Sequence, residues 1–186
     1  AYKFIRHHID REVPRLKELQ EYYQAQNKIK SWPGSPNPMN AHNQVASGFA
    51  RYITNIRVGY FLGNDIQYKI VDDGDNKSLS ETIKDLLKQY NDSSDTPYVD
   101  EMLKKDLSIT GRAYDLVYVN EGETTLNLAK VDPTTAFVVY DDSIKAKPLF
   151  AVHYYQTGVL VFQHPAPSEI YTDNAVYRYH SDGGVP

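Results

Sequence analysis

The chain has 186 residues, 41% of them hydrophobic and 24% charged, which suffices for one domain or a compact pair with a real core and argues against wholesale disorder. It has no cysteine, which excludes disulfides and thiolate metal sites, and a formal net charge of −4, which argues against gripping nucleic acid by general electrostatics. No apolar run is long enough to cross a bilayer, and no signal-peptide pattern opens the sequence.

The charge is unevenly spread. Residues 1–30 hold seven Lys/Arg against four acids, and residues 31–63 hold two Arg and no acid. Residues 64–95 hold four bases against eight acids, and residues 96–186 hold seven against twelve. A basic first third followed by an acidic remainder reads as a mixed solvated surface, or as an assembly face that is basic on one copy and acidic on the next.

In chain order, Ile5, Ile9, Val13, Leu16, Leu19 and Tyr23 keep helical spacing, with a break or kink expected near Val13 because Pro14 lacks an N–H and crowds the preceding turn. His7 and His8 fall at what reads as the frayed start of that helix. Pro33, Gly34, Pro36 and Pro38 mark residues 28–40 as a loop carrying Trp32, either anchored to its own domain or touching a neighbour. Val45, Phe49, Tyr52, Ile53, Ile56 and Tyr60 then form the stripe of an amphipathic helix with one buried face. Gly63 suits a left-handed stop, and alternation at Ile66, Tyr68 and Ile70 predicts a strand.

Asp72 to Asn76 looks superficially like a calcium loop, but Lys77 and Ser78 occupy ligand and glycine positions, so it reads as a solvated turn. Ser78 and Glu81 predict a capping box for a helix bearing Leu79, Ile83, Leu86, Leu87 and Tyr90. After a linker over Asn91 to Asp95, Thr96 and Pro97 predict the start of another helix, with Val99, Met102, Leu103 and Leu107 buried and Gly111 as its end. Strands are predicted at 112–119, 125–131, 136–140, 149–155 and 159–163, with short pieces at 169–171 and 175–179, and a hairpin turn over 120–123. The fold class is α+β: N-terminal amphipathic helices followed by a mostly antiparallel sheet.

No catalytic, cofactor or metal constellation emerges. There is no His-x-x-x-His, no Gly-x-Ser-x-Gly elbow and no Gly-rich phosphate loop, and His153, His164 and His180 read as surface or packing residues. Late tyrosines, including Tyr154, Tyr155, Tyr171, Tyr177 and Tyr179, read as half-buried packing residues with wet hydroxyls. The alternative reading is a carbohydrate- or peptide-binding α+β module with its ligand between Tyr154 and Tyr177. A third is a metal-dependent hydrolase using Asp72 to Asp75.

Five motifs occur in a set order: Tyr22–Tyr23 closing the first helix, Gly59-Tyr60-Phe61-Leu62-Gly63, Gly111-Arg112-Ala113-Tyr114 entering a strand, Val131-Asp132-Pro133 before another, and Glu169-Ile170-Tyr171-Thr172. In this order the chain resembles the N-terminal wing part of tailed-bacteriophage portal proteins. The resemblance implies that residues 1–186 are a wing domain whose stem, clip and crown lie outside this chain. It implies a non-enzymatic, structural subunit of a homo-oligomeric ring at the unique capsid vertex, assembled in the host cytoplasm. The expected partners are copies of itself, the terminase large subunit, scaffold and major capsid protein, and a head-completion or adaptor protein. Double-stranded DNA would pass through the ring without sequence recognition; no membrane and no cofactor are involved. Expected ring contacts are Trp32, Arg51 and Arg57.

Overall fold

The computed structural model describes residues 2–34, 37, 39, 43–70, 77–155 and 167–179, with backbone alone at 77 and 78. The predicted turn at Asp72 to Asn76, the predicted strand at 159–163, and both His164 and His180 lie outside the described residues. Helices come first and strands later: α1 (Tyr2–His7), α2 (Val13–Tyr23), α3 (Phe49–Leu62), α4 (Lys77–Ser94) and α5 (Thr96–Thr110), then β1 (Tyr114–Val119), β2 (Leu126–Val131), β3 (Ala136–Tyr140), β4 (Pro148–Tyr154), β5 (Ser168–Tyr171) and β6 (Val176–Tyr179). This is the expected α+β order. The chain forms two compact units, one of Ala1–Glu18 with Val131–Pro186 and one of Leu19–Lys130.

In the first unit β3, β4, β5 and β6 form a sheet in sequence order, antiparallel throughout. Its core is Phe137, Val152, Tyr154 and Ile170, with Ile5, Val139 and Phe150 packed against it. Pairings such as Phe137↔Val152↔Ile170 put these side chains on one face, as period-2 alternation requires. The Val131-Asp132-Pro133 motif has a structural basis. Asp132 Oδ1 accepts from both the Thr134 N–H and its hydroxyl at 2.8 Å, Pro133 is fully buried, and the turn feeds straight into β3.

The N-terminus is not frayed. His8 is 3% exposed, its ring stacks on Phe137 at 4.8 Å between centroids, and its Nδ1 lies 2.9 Å from the Tyr154 hydroxyl. That hydroxyl donates its one proton to the Thr134 carbonyl at 2.7 Å, so the His8 ring donates from Nδ1. Phe4 meets Phe150 edge-on at 5.7 Å. Between α1 and α2, residues His8–Glu12 form a π-helical stretch in which the Val13 N–H reaches His8 O. This is the irregularity expected from Pro14: widening the turn moves a carbonyl out of the way of the proline ring without breaking the helix.

In the second unit α5 packs against both α3 and α4. Gly111 ends α5, as predicted, and does so in the left-handed conformation at φ 76°, with its N–H on Leu107 O at 3.0 Å. Three other boundaries differ from expectation. Gly63 has φ −64°, so it is not a left-handed stop; a Cβ there would sit 2.6 Å from Gly59 O, and that approach is what requires glycine. The predicted linker at Asn91 to Asp95 is mostly helix: α4 runs to Ser94, and Asp95 alone, at φ 46°, separates it from α5. Thr96 does not cap α5, because its hydroxyl bonds Asn91 Oδ1 at 3.0 Å. Ser78 lies inside the first turn of α4 rather than before it. Finally, residues 65–70 belong to no helix or strand, and Ile66 and Tyr68 are exposed, so the strand predicted there is not formed.

Two predictions follow from the buried polar contact in the first unit. Tyr154→Phe leaves the His8 N–H and the Thr134 carbonyl without this partner and is expected to lower stability by about 1–3 kcal/mol in urea titrations; an unchanged midpoint contradicts this. Burial first and nearby Asp132 second raise the Tyr154 hydroxyl above its ordinary 10.0, and burial and Glu169 raise that of Tyr171. Folded values above the unfolded one mean that the stabilisation is complete below pH 10.0 and is lost as pH climbs toward the folded values. Phenolate absorbance is therefore expected to show two of the sixteen tyrosines ionising only with unfolding. Titration of all sixteen before unfolding contradicts it.

Candidate assembly surface

The most unusual surface of the second unit is α3, which lies the opposite way round from the sequence expectation. Phe49, Tyr52, Ile53, Ile56 and Tyr60 were predicted to be buried, yet they are 69%, 62%, 54%, 51% and 93% exposed. The buried residues of α3 are Thr54 and Val58. With 3.6 residues per turn, Thr54 and Val58 lie on the side of the helix opposite that stripe. The short Thr54 and Val58 side chains let α3 lie close to α5, and the apolar stripe points away from the unit.

Polar and cationic contacts fix this orientation. Tyr23, at the end of α2, donates its hydroxyl proton to Asn55 Oδ1 at 3.2 Å and accepts at its carbonyl from Arg51 Nε at 3.3 Å. The Arg51 guanidinium and the Lys105 ammonium each lie 5.5 Å from the centre of its ring, and Lys104 of α5 sits 4.2 Å from the centre of the Phe61 ring. The Tyr22–Tyr23 and Gly59-to-Gly63 motifs thus contribute to one clamp joining α2, α3 and α5. On α5, Val99 is buried, Met102 and Leu103 are half-buried, and Leu107, predicted to be buried, is 47% exposed.

The expected contact residues have different settings. Trp32 follows a short 3-10 turn (Lys28–Ser31) and is 62% exposed, so its ring does not anchor the loop in its own unit; its carbonyl accepts from Gln44 Nε2 at 2.6 Å. Arg51 shares the inner side of α3 with Thr54 and Val58 and is tied to Tyr23. Arg57 is exposed, borders the apolar stripe, and makes no ion pair among the described residues. Neither arginine shares a hydrogen bond or ring contact with Trp32 among the described residues. Periodicity located the stripe itself. Its outward direction had no sequence signal beyond the Thr54–Val58 pair on the other side.

The first unit has a polar cluster on the sheet face opposite Phe137. Glu169 accepts from the hydroxyls of Tyr171 at 2.6 Å and Tyr155 at 3.1 Å, and from Arg178 Nε at 2.9 Å. Burial works to raise its pKa, but the two hydroxyls and Arg178 outweigh that and hold it below the usual value. His153, opposite Glu169 in the β4–β5 register, has its pKa lowered by burial, partly offset by Glu169. Glu169, Tyr155, Tyr171 and Arg178 satisfy one another, whereas the buried Nδ1 of His153 makes no hydrogen bond among the described residues. Tyr154 was expected to show a wet hydroxyl; it is 1% exposed with its hydroxyl engaged on both sides, which leaves no stacking surface for a ligand between it and Tyr177. Among the described residues no three His, Asp or Glu side chains are grouped to hold a metal, and no helix is long and apolar enough to cross a membrane.

The two arginines are expected to separate in thermal unfolding. Arg51→Ala removes a hydrogen bond and a cation–π contact and should cost about 0.5–1.5 kcal/mol, whereas Arg57→Ala should stay within about 0.5 kcal/mol of the parent. Equal losses would contradict the placement of Arg51 on the inner side.

Comparison with known proteins agrees with the motif order. The chain is 25% identical over 144 residues to the portal protein of Bacillus phage SPP1, an alignment covering 77% of this chain and 27% of that protein, so the chain spans about a quarter of the relative's length. Residues 2–185 match the family model described as phage portal protein, SPP1 Gp6-like. With nearly every residue inside that match, the chain belongs to the SPP1 Gp6-like family of phage portal proteins.

Proposed function

We propose that the chain is the wing part of a portal subunit that self-associates into a ring at one capsid vertex, forming a conduit for double-stranded DNA during packaging and ejection. The observation that carries this reading is the family match over residues 2–185. The outward apolar stripe of α3 supports it, since exposed contiguous apolar surface marks interaction sites. Chemistry is left to partners: the terminase large subunit drives translocation, while scaffold, major capsid protein and a head-completion or adaptor protein dock on the ring. The net charge of −4 suits a conduit that lets a polyanion slide without holding its phosphates. In this reading the subunit resides in the virion after assembly in the host cytoplasm. Trp32, Arg51 and Arg57 contribute to the ring contact, and Arg51 also braces its own subunit through Tyr23.

Negative-stain images of the full-length protein are expected to show a perforated disc. Arg51→Glu with Arg57→Glu should reduce the ring fraction while the subunit stays folded, because a charge reversal of about 0.2–1 kcal/mol per contact recurs at every subunit boundary. Native mass spectrometry showing an intact ring of the double variant at low concentration removes the arginines from the contact. Absence of any ring for the parent removes the function.

A further inference from the structure

The second unit also carries the β1–β2 hairpin, whose strands pair with each other and with no third strand among the described residues. A lone two-stranded ribbon is marginal in water. β2 is tied to the helices, with Ser94 Oγ donating to Leu126 O at 3.4 Å and Lys130 paired with Asp106. The far end of the hairpin is free of such ties. Alternation puts Val117 and Val119 on one face and Tyr118 on the other, yet they are 52%, 49% and 39% exposed, and every residue over 117–124 is exposed. With neither face covered, this end projects from the unit. Its tip is a tight turn in which the Glu123 N–H bonds Asn120 O at 3.1 Å, with Gly122 at φ 82°. Residues 113–129 hold Asp115, Glu121 and Glu123 and no base. α3 has the opposite character. It carries no acid, Arg57 borders its stripe, and Phe61, one turn on along the same flank, has the Lys104 ammonium 4.2 Å from its ring centre. Asp100 and Glu101, one turn from Lys104 on α5, form no ion pair with it among the described residues.

We propose that the projecting hairpin end of one copy lies on the α3 stripe of the next, with Val117 and Val119 against Ile53 and Ile56 and the Glu121–Glu123 tip beside Arg57 and Lys104. A second copy is the occupant because charge and apolar surface match across the pair: the hairpin end offers acid without base, and the helix offers base without acid. Such complementarity selects a partner and fixes its register. Both surfaces are exposed in the single subunit, so the hairpin does not fold back on its own helix. A contact between unlike surfaces is heterologous, and repeating it head to tail generates a closed ring or an open filament, whereas a self-complementary patch stops at a dimer. The inference deepens the ring reading and rests on it.

The test is photo-crosslinking in the full-length protein, with the benzophenone amino acid p-benzoylphenylalanine in place of Val119. That position is 49% exposed, so circular dichroism and melting temperature should stay close to the parent. Isotope-labelled and unlabelled copies are assembled together, irradiated and digested, and mass spectrometry reads which peptides are joined. Crosslinks from position 119 should fall within 49–60 of α3 and join labelled to unlabelled peptides. Ile53→Glu with Ile56→Glu, both exposed, should cut their yield about tenfold or more. Glu121→Arg with Glu123→Arg should lower the yield about threefold to fivefold, and adding Arg57→Glu should recover much of it. Rings whose crosslinks from position 119 land elsewhere, or only within one copy, overturn the docking while leaving the ring function standing. Loss on charge reversal without recovery by Arg57→Glu overturns the placement of the tip. A parent that never forms rings overturns the ring reading and this inference with it. Should the Ile53 and Ile56 double variant unfold, the single change Ile56→Ser repeats that arm with the same outcomes.

Discussion

The second unit depends on the close approach of α3 to α5, made by Thr54 and Val58 and held in place by Tyr23. Burial of larger side chains would release more free energy per residue, roughly 1.5–3 kcal/mol each. The helix leaves that gain unused within its own unit and keeps six large apolar side chains outside. The contacts of Tyr23 accompany this inverted orientation. With its hydroxyl on Asn55, its carbonyl on Arg51, and cations beside its ring from α3 and α5, Tyr23 fixes which face of the helix turns inward. An apolar stripe held outward in this way is positioned for a partner.

The first unit solves a different problem. A four-stranded antiparallel sheet needs a cover for its apolar face, and α1 with His8 provides it. The cover is oriented by a polar contact at the centre of an apolar one, where His8, Tyr154 and the Thr134 carbonyl form a short chain of hydrogen bonds. Buried polar groups are costly when unpaired, so this chain specifies one docking geometry where Ile5, Phe4 and Phe150 alone would tolerate several. The π-helical stretch before Pro14 lets the helix pass the proline and still present His8 to the sheet.

Much of this was legible in the sequence. Period-2 alternation placed all six described strands to within about two residues, Gly111 marked the end of α5, and Pro14 announced the irregularity ahead of it. What the sequence could not give was direction. The spacing of Phe49, Ile53, Ile56 and Tyr60 identifies an apolar face but not whether its partner belongs to the same unit. For the same reason the 66–70 alternation suggested a strand, although no neighbouring strand pairs with it. His8 was hidden for another reason: a histidine at the start of a chain carries no local sign of burial, and its partners are 129 to 146 positions away along the sequence. Asn91 to Asp95 misled through composition, since polar residues that favour turns also serve as the last turn of a helix once Thr96 bonds back to Asn91.

The central claim is that the α3 stripe is open in the single subunit and covered in the assembly. Chemical labelling of tyrosine, read residue by residue in mass spectrometry, tests it directly on dissociated and assembled protein. Tyr60, 93% exposed, and Tyr52, 62% exposed, should label fast in the single subunit and be strongly protected in the ring, while buried Tyr154 stays unreactive in both. Equal labelling of Tyr52 and Tyr60 in the two states would contradict the account.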